Sequence, residues 1–420
     1  MTTVNRLQTV RYALHTDNTT FNNTPGTLLP LQLVDDGASF LPRQRTPIER
    51  PLRSLGGRRF PHIYGAQDLA DLVAVCEFKG VNNNTGGAVA DWEAKMEQGY
   101  LLASLFGAVA PATTGSAPTV VTAGSSGSTG TLVVSSTVLV NGEVIAFPID
   151  EGGYQIMRVA SGGGTTTVVG SHQYYGTPTN GGTIIRLAVY TVDDDLTLHT
   201  HAFFSAEGEN WRRDYFGCVP MSMSLAMPNT GLVQMTSTFS PTTWADVAEA
   251  DPAFAAPTAG EPIVMDGVTF VLGTNTDGTM YRHLVGNLTI NYSTGAAMRE
   301  TASATNGKLG GVCGTGEGKM FSIEGEIEIG ETDIGDLTAF TESDVTEATG
   351  IKQNGTNVQA GDISFTRRLA LMVGAGRGRL MYVYLPEADF RASVVVSGAL
   401  TKLRFTAMGT GAIPAVFAVG

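Results

Sequence analysis

Residues 201–240 read HAFFSAEGENWRRDYFGCVPMSMSLAMPNTGLVQMTSTFS. An apolar run ends at an acidic turn, AEGEN. The chain then resumes through CVPMSMSLAM (218–227), where Met223 and Leu225 alternate with Ser222, Ser224 and Ala226. It breaks again at PNTG and closes on LVQMTSTFS (232–240), where alternation returns. Period two across turn signals of this kind marks consecutive strands, not helices. The first of them starts upstream, at LTLHTHAFF (196–204).

The same texture continues downstream. A polar Ala/Pro-rich loop covers 241–262. Strands are predicted at VTFVLG (268–273), YRHLVGNLTINYS (281–293), KMFSIEGEIEIG (319–330), FTRRLALMV (365–373), RLMYVYLP (379–386) and ALTKLRFTAM (399–408). A short helix is expected at ETDIGDLTAFTES (331–343), followed by a loop to Gly361.

Upstream, residues 111–190 carry Gly/Ser/Thr turns around short β-branched runs: TLVVSSTVLV, EVIAFPI, YQIMRVA, TTTVVG and TIIRLAVY. They read as a small all-β module inserted into the main fold. Before it, Val89–Phe106 reads as an amphipathic helix, with Val89, Trp92, Met96, Leu102, Leu105 and Phe106 approximating one face. Leu69–Phe78 is a strand-length apolar run. Residues 1–60 show little periodicity and read as an extended arm that orders against a partner.

The order of elements repeats. A strand at 69–78, the helix at 89–106 and strands at 196–204, 216–227 and 231–240 make one pass. A strand at 319–330, the helix at 331–343 and strands at 365–373, 379–390 and 399–408 make the second. TGLVQMTSTFS (230–240) lies over SGALTKLRFTA (397–407). The expected organisation is an arm (1–50), a first domain (51–110 with 191–245), the insert (111–190) and a second domain (246–420).

Composition supports many strands: 52 Gly and only 15% charged residues, with 42% hydrophobic residues to fill cores. The net charge of −13 argues against a protein that grips DNA. Residues 1–59 hold eight Arg against four acids, so they carry +4 and the remainder −17 (−13 minus +4). Arg43, Arg45, Arg50, Arg53, Arg58 and Arg59 in that basic segment are candidates for contacts with an acidic neighbouring copy, against the plainer reading of solvated surface charge. Cys76, Cys218 and Cys313 are far apart and form no CxxC, so neither a disulfide framework nor a zinc site is indicated. No apolar run reaches the roughly 18 residues a membrane helix needs, and the N-terminus lacks a signal-type apolar core. A soluble protein made in a reducing cytoplasm is expected.

Chemical motifs fail on inspection. GTGEGKM (314–320) ends in Gly-Lys, but Cys313 and Met320 stand where a phosphate loop needs Gly and Ser or Thr. GAGRGR (374–379) joins two strands and reads as a hairpin loop. His199 and His201 share a strand face without a third ligand nearby in sequence, so an ordinary strand face is favoured over a metal pair. Glu324, Glu326 and Glu328 alternate with Ile323, Gly325, Ile327 and Ile329. That places three carboxylates on one face, coating a wet wall in preference to acid–base work. Catalytic residues, metal and cofactor are all expected to be none.

The quoted stretch, with LRSLGGRRF (52–60), LLASLFGA (101–108), the segment 131–187 and GEIEIGETDIGDLTAF (325–340), resembles the tail tube (major tail) proteins of siphophages, in the long variant with a β insert. The resemblance spans about residues 50–408 as a pattern, with no diagnostic motif. It implies a mainly β fold: duplicated tail-tube β-sandwich or split-barrel domains with flanking helices, plus a small inserted β-barrel. It also implies rings stacked into a tube in the virion tail of a phage, conducting DNA to the host. Three chains with two tube domains each would complete a pseudo-hexameric ring; six chains with one undivided domain each is the rival. Partners would be the chain itself, other tail proteins at the tube ends, a tape measure protein in the lumen, and double-stranded DNA passing without specific binding. The three glutamates would be bore candidates. A carbohydrate-binding or adhesin-like β protein is the main competing reading; another phage structural protein and an enzyme are further ones.

Overall fold

A computed structural model describes residues 7–15, 28–34, 38–40, 47–48, 63–64, 71–81, 96–107, 117–192, 201–208, 211–247, 260–273, 280–300, 308–315, 319–329, 363–374, 376–397 and 400–420. They are mainly β, as expected. The strands gather into a 15-stranded sheet, a 6-stranded sheet and two two-stranded pairs. The helix Gly99–Phe106 is shorter than the helix expected at 89–106, whose residues 89–95 lie outside the described set. The helix expected at 331–343 lies outside it too.

The large sheet contains two closed circuits of antiparallel pairing. In the first, Ala202–Gly208 pairs with the start of Trp211–Met227, whose second half pairs with Gln234–Ser240. Gln234–Ser240 pairs with Leu72–Glu77. The bridges Leu33↔Cys76 and Ser39↔Val73 continue to Leu29–Leu31, which pairs with Leu7–Leu14, and that strand returns to Ala202–Gly208. In the second, Val268–Gly273 pairs with Met280–Ser293, then Met320–Ile329, Leu400–Gly409, Leu380–Ser397 and Ile363–Gly374, which returns to Val268–Gly273. The two circuits run through their strands in the same order. Even the short closing strands correspond. Thr243–Asp246 lies against Arg213–Phe216, and Ala415–Val419 against Met381–Tyr384.

The N-terminal segment is thus not wholly an arm. Val10, Tyr12, Leu29, Leu31 and Phe40 are buried in the core of the first circuit. The alternation in TVRYAL is a strand signal too short to stand out beside the polar stretch 16–27. Arg11, counted in the basic surplus, bonds Glu207 at 3.2 Å. Arg43, Arg45, Arg50, Arg53, Arg58 and Arg59 lie outside the described residues.

The two longest strands change layer by bending. In Trp211–Met227 the register slips at Gly217, whose φ of 56° suits glycine, and again at Pro220, which has no N–H to donate. In Leu380–Ser397 it slips where Pro386 interrupts the ladder to Ile363–Gly374. Bends of this kind let one strand serve both layers of a sandwich. The helix fills the space between circuits: Phe106 stacks on Tyr292 (4.5 Å) and Phe417 (5.6 Å), and Tyr100 meets Tyr12 edge-on at 6.0 Å.

The circuits are joined edge to edge. Ser222–Met227 pairs with Leu288–Ser293, from Ser222↔Ser293 to Met227↔Leu288. At the next strand Gly325 lies opposite Leu288; a Cβ there would fall 2.3 Å from Leu288 Cδ2 and 2.9 Å from the Asn287 carbonyl oxygen, so a larger residue would force this join to shift.

The segment expected as an insert has its own core, including Leu132, Ile145, Phe147, Met157, Val168 and Ile184. Its six strands run Ile185–Arg186, Val144–Pro148, Tyr154–Ser161, Thr167–Gly170, Thr131–Val134 and Val120–Ser126. The bridge Thr119↔Thr183 joins the two ends. It follows the helix of the first half in sequence, yet it docks on the second circuit. Val144, Ala146, Ile156, Ile185 and Leu187 pack on Val271, Ala370, Met372, Tyr382, Val416 and Ala418.

Candidate functional surface

Alternation gives the joined circuits one buried and one open face. From one strand to the next, the open face carries Gln234, Thr236 and Thr238, then Ser222, Ser224 and Ala226. It continues with Thr289, Asn291 and Ser293, then Glu324 and Glu326, then Lys402, Arg404 and Thr406. Their neighbours Met223, Leu225, Ile290, Ile323, Ile327, Phe405 and Ala407 are buried beneath. From Gln234 across to Ser293 this face is hydroxyl and amide apart from Ala226; Met320–Ile329 and Leu400–Gly409 make it charged, and Glu77 opposite Gln234 adds an acid at the other side.

Of the three glutamates expected on one face, Glu324 is exposed and Glu326 is half-buried. Glu328 holds the next same-face register position, opposite Lys402; its side chain lies outside the described set. Glu326 is not a bare carboxylate. Arg404 bonds it at 3.2 Å and Lys402 at 3.5 Å. Those bonds, Arg404's first, hold its carboxyl below the usual range. On the neighbouring strand Arg391 pairs with Asp389 at 2.9 Å. The cations Lys402, Arg404 and Arg391 are all engaged by acids. Sequence reading saw the acids and missed these cations, although LTKLRFTAM places Lys402 and Arg404 two apart on one strand face.

The histidine pair divides. His199 lies outside the described residues. His201 is buried, and burial together with the nearby His15 pushes its pKa down to about 4. His15 Nε2 accepts the Gly217 N–H at 3.0 Å. Among the described residues no group of three or more His, Cys, Asp or Glu is placed to hold a metal. Cys76 and Cys218 are free and buried, and burial raises the Cys76 thiol to about 12, which leaves it unreactive.

A buried polar cluster escaped the sequence reading. Lys79 Nζ donates to Glu97 Oε2 (2.5 Å) and to Gln32 Oε1 (2.6 Å). Glu97 Oε1 accepts the Gln32 backbone N–H (2.7 Å), and the Tyr12 hydroxyl donates to the Glu97 carbonyl. Gln98, at the helix start, accepts the Lys79 N–H and donates to the Glu77 carbonyl. Four sequence-distant segments meet here, so no local pattern announces them.

No family model matches the chain, and no curated protein matches it in sequence. Among the described residues no helix is long and apolar enough to cross a membrane.

Proposed function

We propose that this chain is a non-enzymatic structural subunit of a phage tail tube, resident in the virion tail, that assembles into stacked rings around a DNA-conducting bore. The observation that carries the reading is the seam between Ser222–Met227 and Leu288–Ser293. It fuses two circuits of like connectivity into one continuous sheet with a polar open face. This supports two copies of one tube domain in each chain. A seam of the same kind between residues 393–397 of one copy, paired among the described residues only with Leu400–Gly409, and residues 33–34 and 38–40 of the next would extend the sheet, and three copies would close it. Closure removes the free edges that make open sheets aggregate.

The open face suits a bore. Hydroxyls and amides carry no net charge, and the cations Lys402, Arg404 and Arg391 are held by acids. Phosphate binding draws its strength from free cations that displace counterions, so DNA slides past this wall. The insert packs on Val271, Ala370, Tyr382 and Val416 of the second circuit and, in this reading, decorates the outside.

Electron microscopy of the purified full chain, with native mass of a single ring, tests the reading. Tubes or rings of uniform bore built from three chains per layer are expected. Monodisperse monomers at high concentration would refute the tube. Six chains in a strictly sixfold layer would refute the two-domain chain.

A further inference from the structure

We propose that Lys79 and Gln32 form an intramolecular isopeptide bond, with Glu97 as the proton carrier. The inference stands apart from the tube reading. It rests on the arrangement of an amine, an acyl group and a carboxylate. Lys79 Nζ is 2.6 Å from the side-chain oxygen of Gln32, beside the carbon it would attack. Glu97 Oε2 is 2.5 Å from the same nitrogen. Lys79 and Glu97 are buried, with side-chain exposures of 10% and 2%. Gln32 is exposed, so a leaving group at its side chain has a path to water.

Each partner is held from a second direction. The Gln32 backbone N–H fixes Glu97 Oε1, which turns the other carboxylate oxygen toward Lys79. Tyr12 holds the Glu97 carbonyl, and Gln98 holds the Lys79 backbone. Such positioning replaces a bimolecular encounter with an intramolecular one, an advantage that reaches effective molarities of about 10⁵ M and beyond. A lysine amine is a nucleophile only without its extra proton, and Glu97 is placed to take that proton.

The step balances without a co-reactant. Glu97 accepts a proton from the Lys79 ammonium. The freed Nζ attacks Gln32 Cδ, and the Nζ–Cδ bond forms. The Cδ–Nε2 bond then breaks. The departing nitrogen leaves as ammonium with both protons shed by Nζ, and Glu97 ends as a carboxylate. The chain loses one ammonia and one positive charge. The product ties residues 47 positions apart. It would staple the segment that closes the first circuit to the end of Leu72–Glu77, the strand that it bridges.

Intact mass spectrometry of the full chain, followed by tryptic mapping, tests this. The expected result is a mass short by one ammonia and a branched peptide joining Gln32 to Lys79, with no cleavage after Lys79. Gln32→Met removes the acyl group and leaves the Lys79–Glu97 pair; it should restore the full mass and cleavage after Lys79. Glu97→Gln should do the same while circular dichroism shows a folded chain. An unmodified wild-type mass after prolonged incubation overturns the proposal. So does an ammonia deficit that survives Gln32→Met. A bond that still forms in folded Glu97→Gln overturns the role given to Glu97.

Discussion

His172 Nε2 and the Tyr382 hydroxyl lie 2.9 Å apart, joining the six-stranded module to the second circuit across 210 residues of sequence. His172 Nδ1 lies 2.7 Å from the Gln173 carbonyl, so Nδ1 carries the proton and Nε2 accepts from Tyr382. The ring is therefore held neutral.

Burial depresses His172 to about 4. The unfolded chain takes up this proton near pH 6.5 and the folded chain does not. The stability contributed by the neutral ring is complete above pH 6.5 and is lost as pH falls toward 4. The full shift is worth on the order of 3 kcal/mol. Urea midpoints measured from pH 7 to pH 4 should fall, and less steeply in His172→Gln. His201 is depressed in the same direction and keeps part of the slope in that variant. An unchanged slope in His172→Gln would show that this contact does not carry the effect.

Excision of residues 117–187 should yield aggregated protein. Val271, Met372, Tyr382 and Val416 lie under it. An exposed apolar patch of this kind drives association. Size-exclusion chromatography of the excised chain reads the outcome, and a soluble species of unchanged melting temperature would contradict the docking.

Deletion of residues 1–45 should prevent the first circuit from folding, where an arm would have been dispensable. Val10, Tyr12, Leu29, Leu31 and Phe40 leave the core together. Tyr12→Ala alone should cost about 3–5 kcal/mol, the range for truncating a buried aromatic. Chemical denaturation measures it, and a loss near zero would place Tyr12 outside the core.

Replacing Glu324, Glu326 and Glu328 by Lys should leave the fold intact, because exposed ion pairs contribute only about 0–1 kcal/mol. Arg404 and Lys402 then lose their acid and the face turns cationic. Double-stranded DNA should bind at low salt and be released steeply as salt rises. Virions carrying the substitutions should eject DNA slowly. Normal ejection would place these residues off the bore.

Much of this fold is legible in the sequence because strands with one wet face advertise it every second residue. Met223, Leu225, Ile323 and Ile327 are readable as inward-facing from alternation alone. What alternation cannot supply is the partner. Nothing local to Ser224 says that Asn291 lies beside it, and nothing local to Glu326 points 76 residues on to Lys402. The insert was recognisable from its turns, but its docking face was not. Val144–Pro148 is buried almost throughout, so it shows no period to reveal which side meets a second core. The N-terminal strands were lost for the opposite reason: short runs around Tyr12 and Leu29 are separated by polar residues that read as loop.

The closing pattern of the two circuits also sets an order in time. Strands of the second circuit all come from residues 268–409, whereas the first bonds Arg11 to Glu207, 196 residues apart. On a ribosome, Tyr12 emerges long before the strand that will cover it. The six-stranded module is complete in sequence by Arg186, but its landing surface at Met372 and Val416 is made last. The nascent chain must carry an uncovered apolar side of this module through most of its synthesis, a window in which neighbouring chains on one message compete for the same surface.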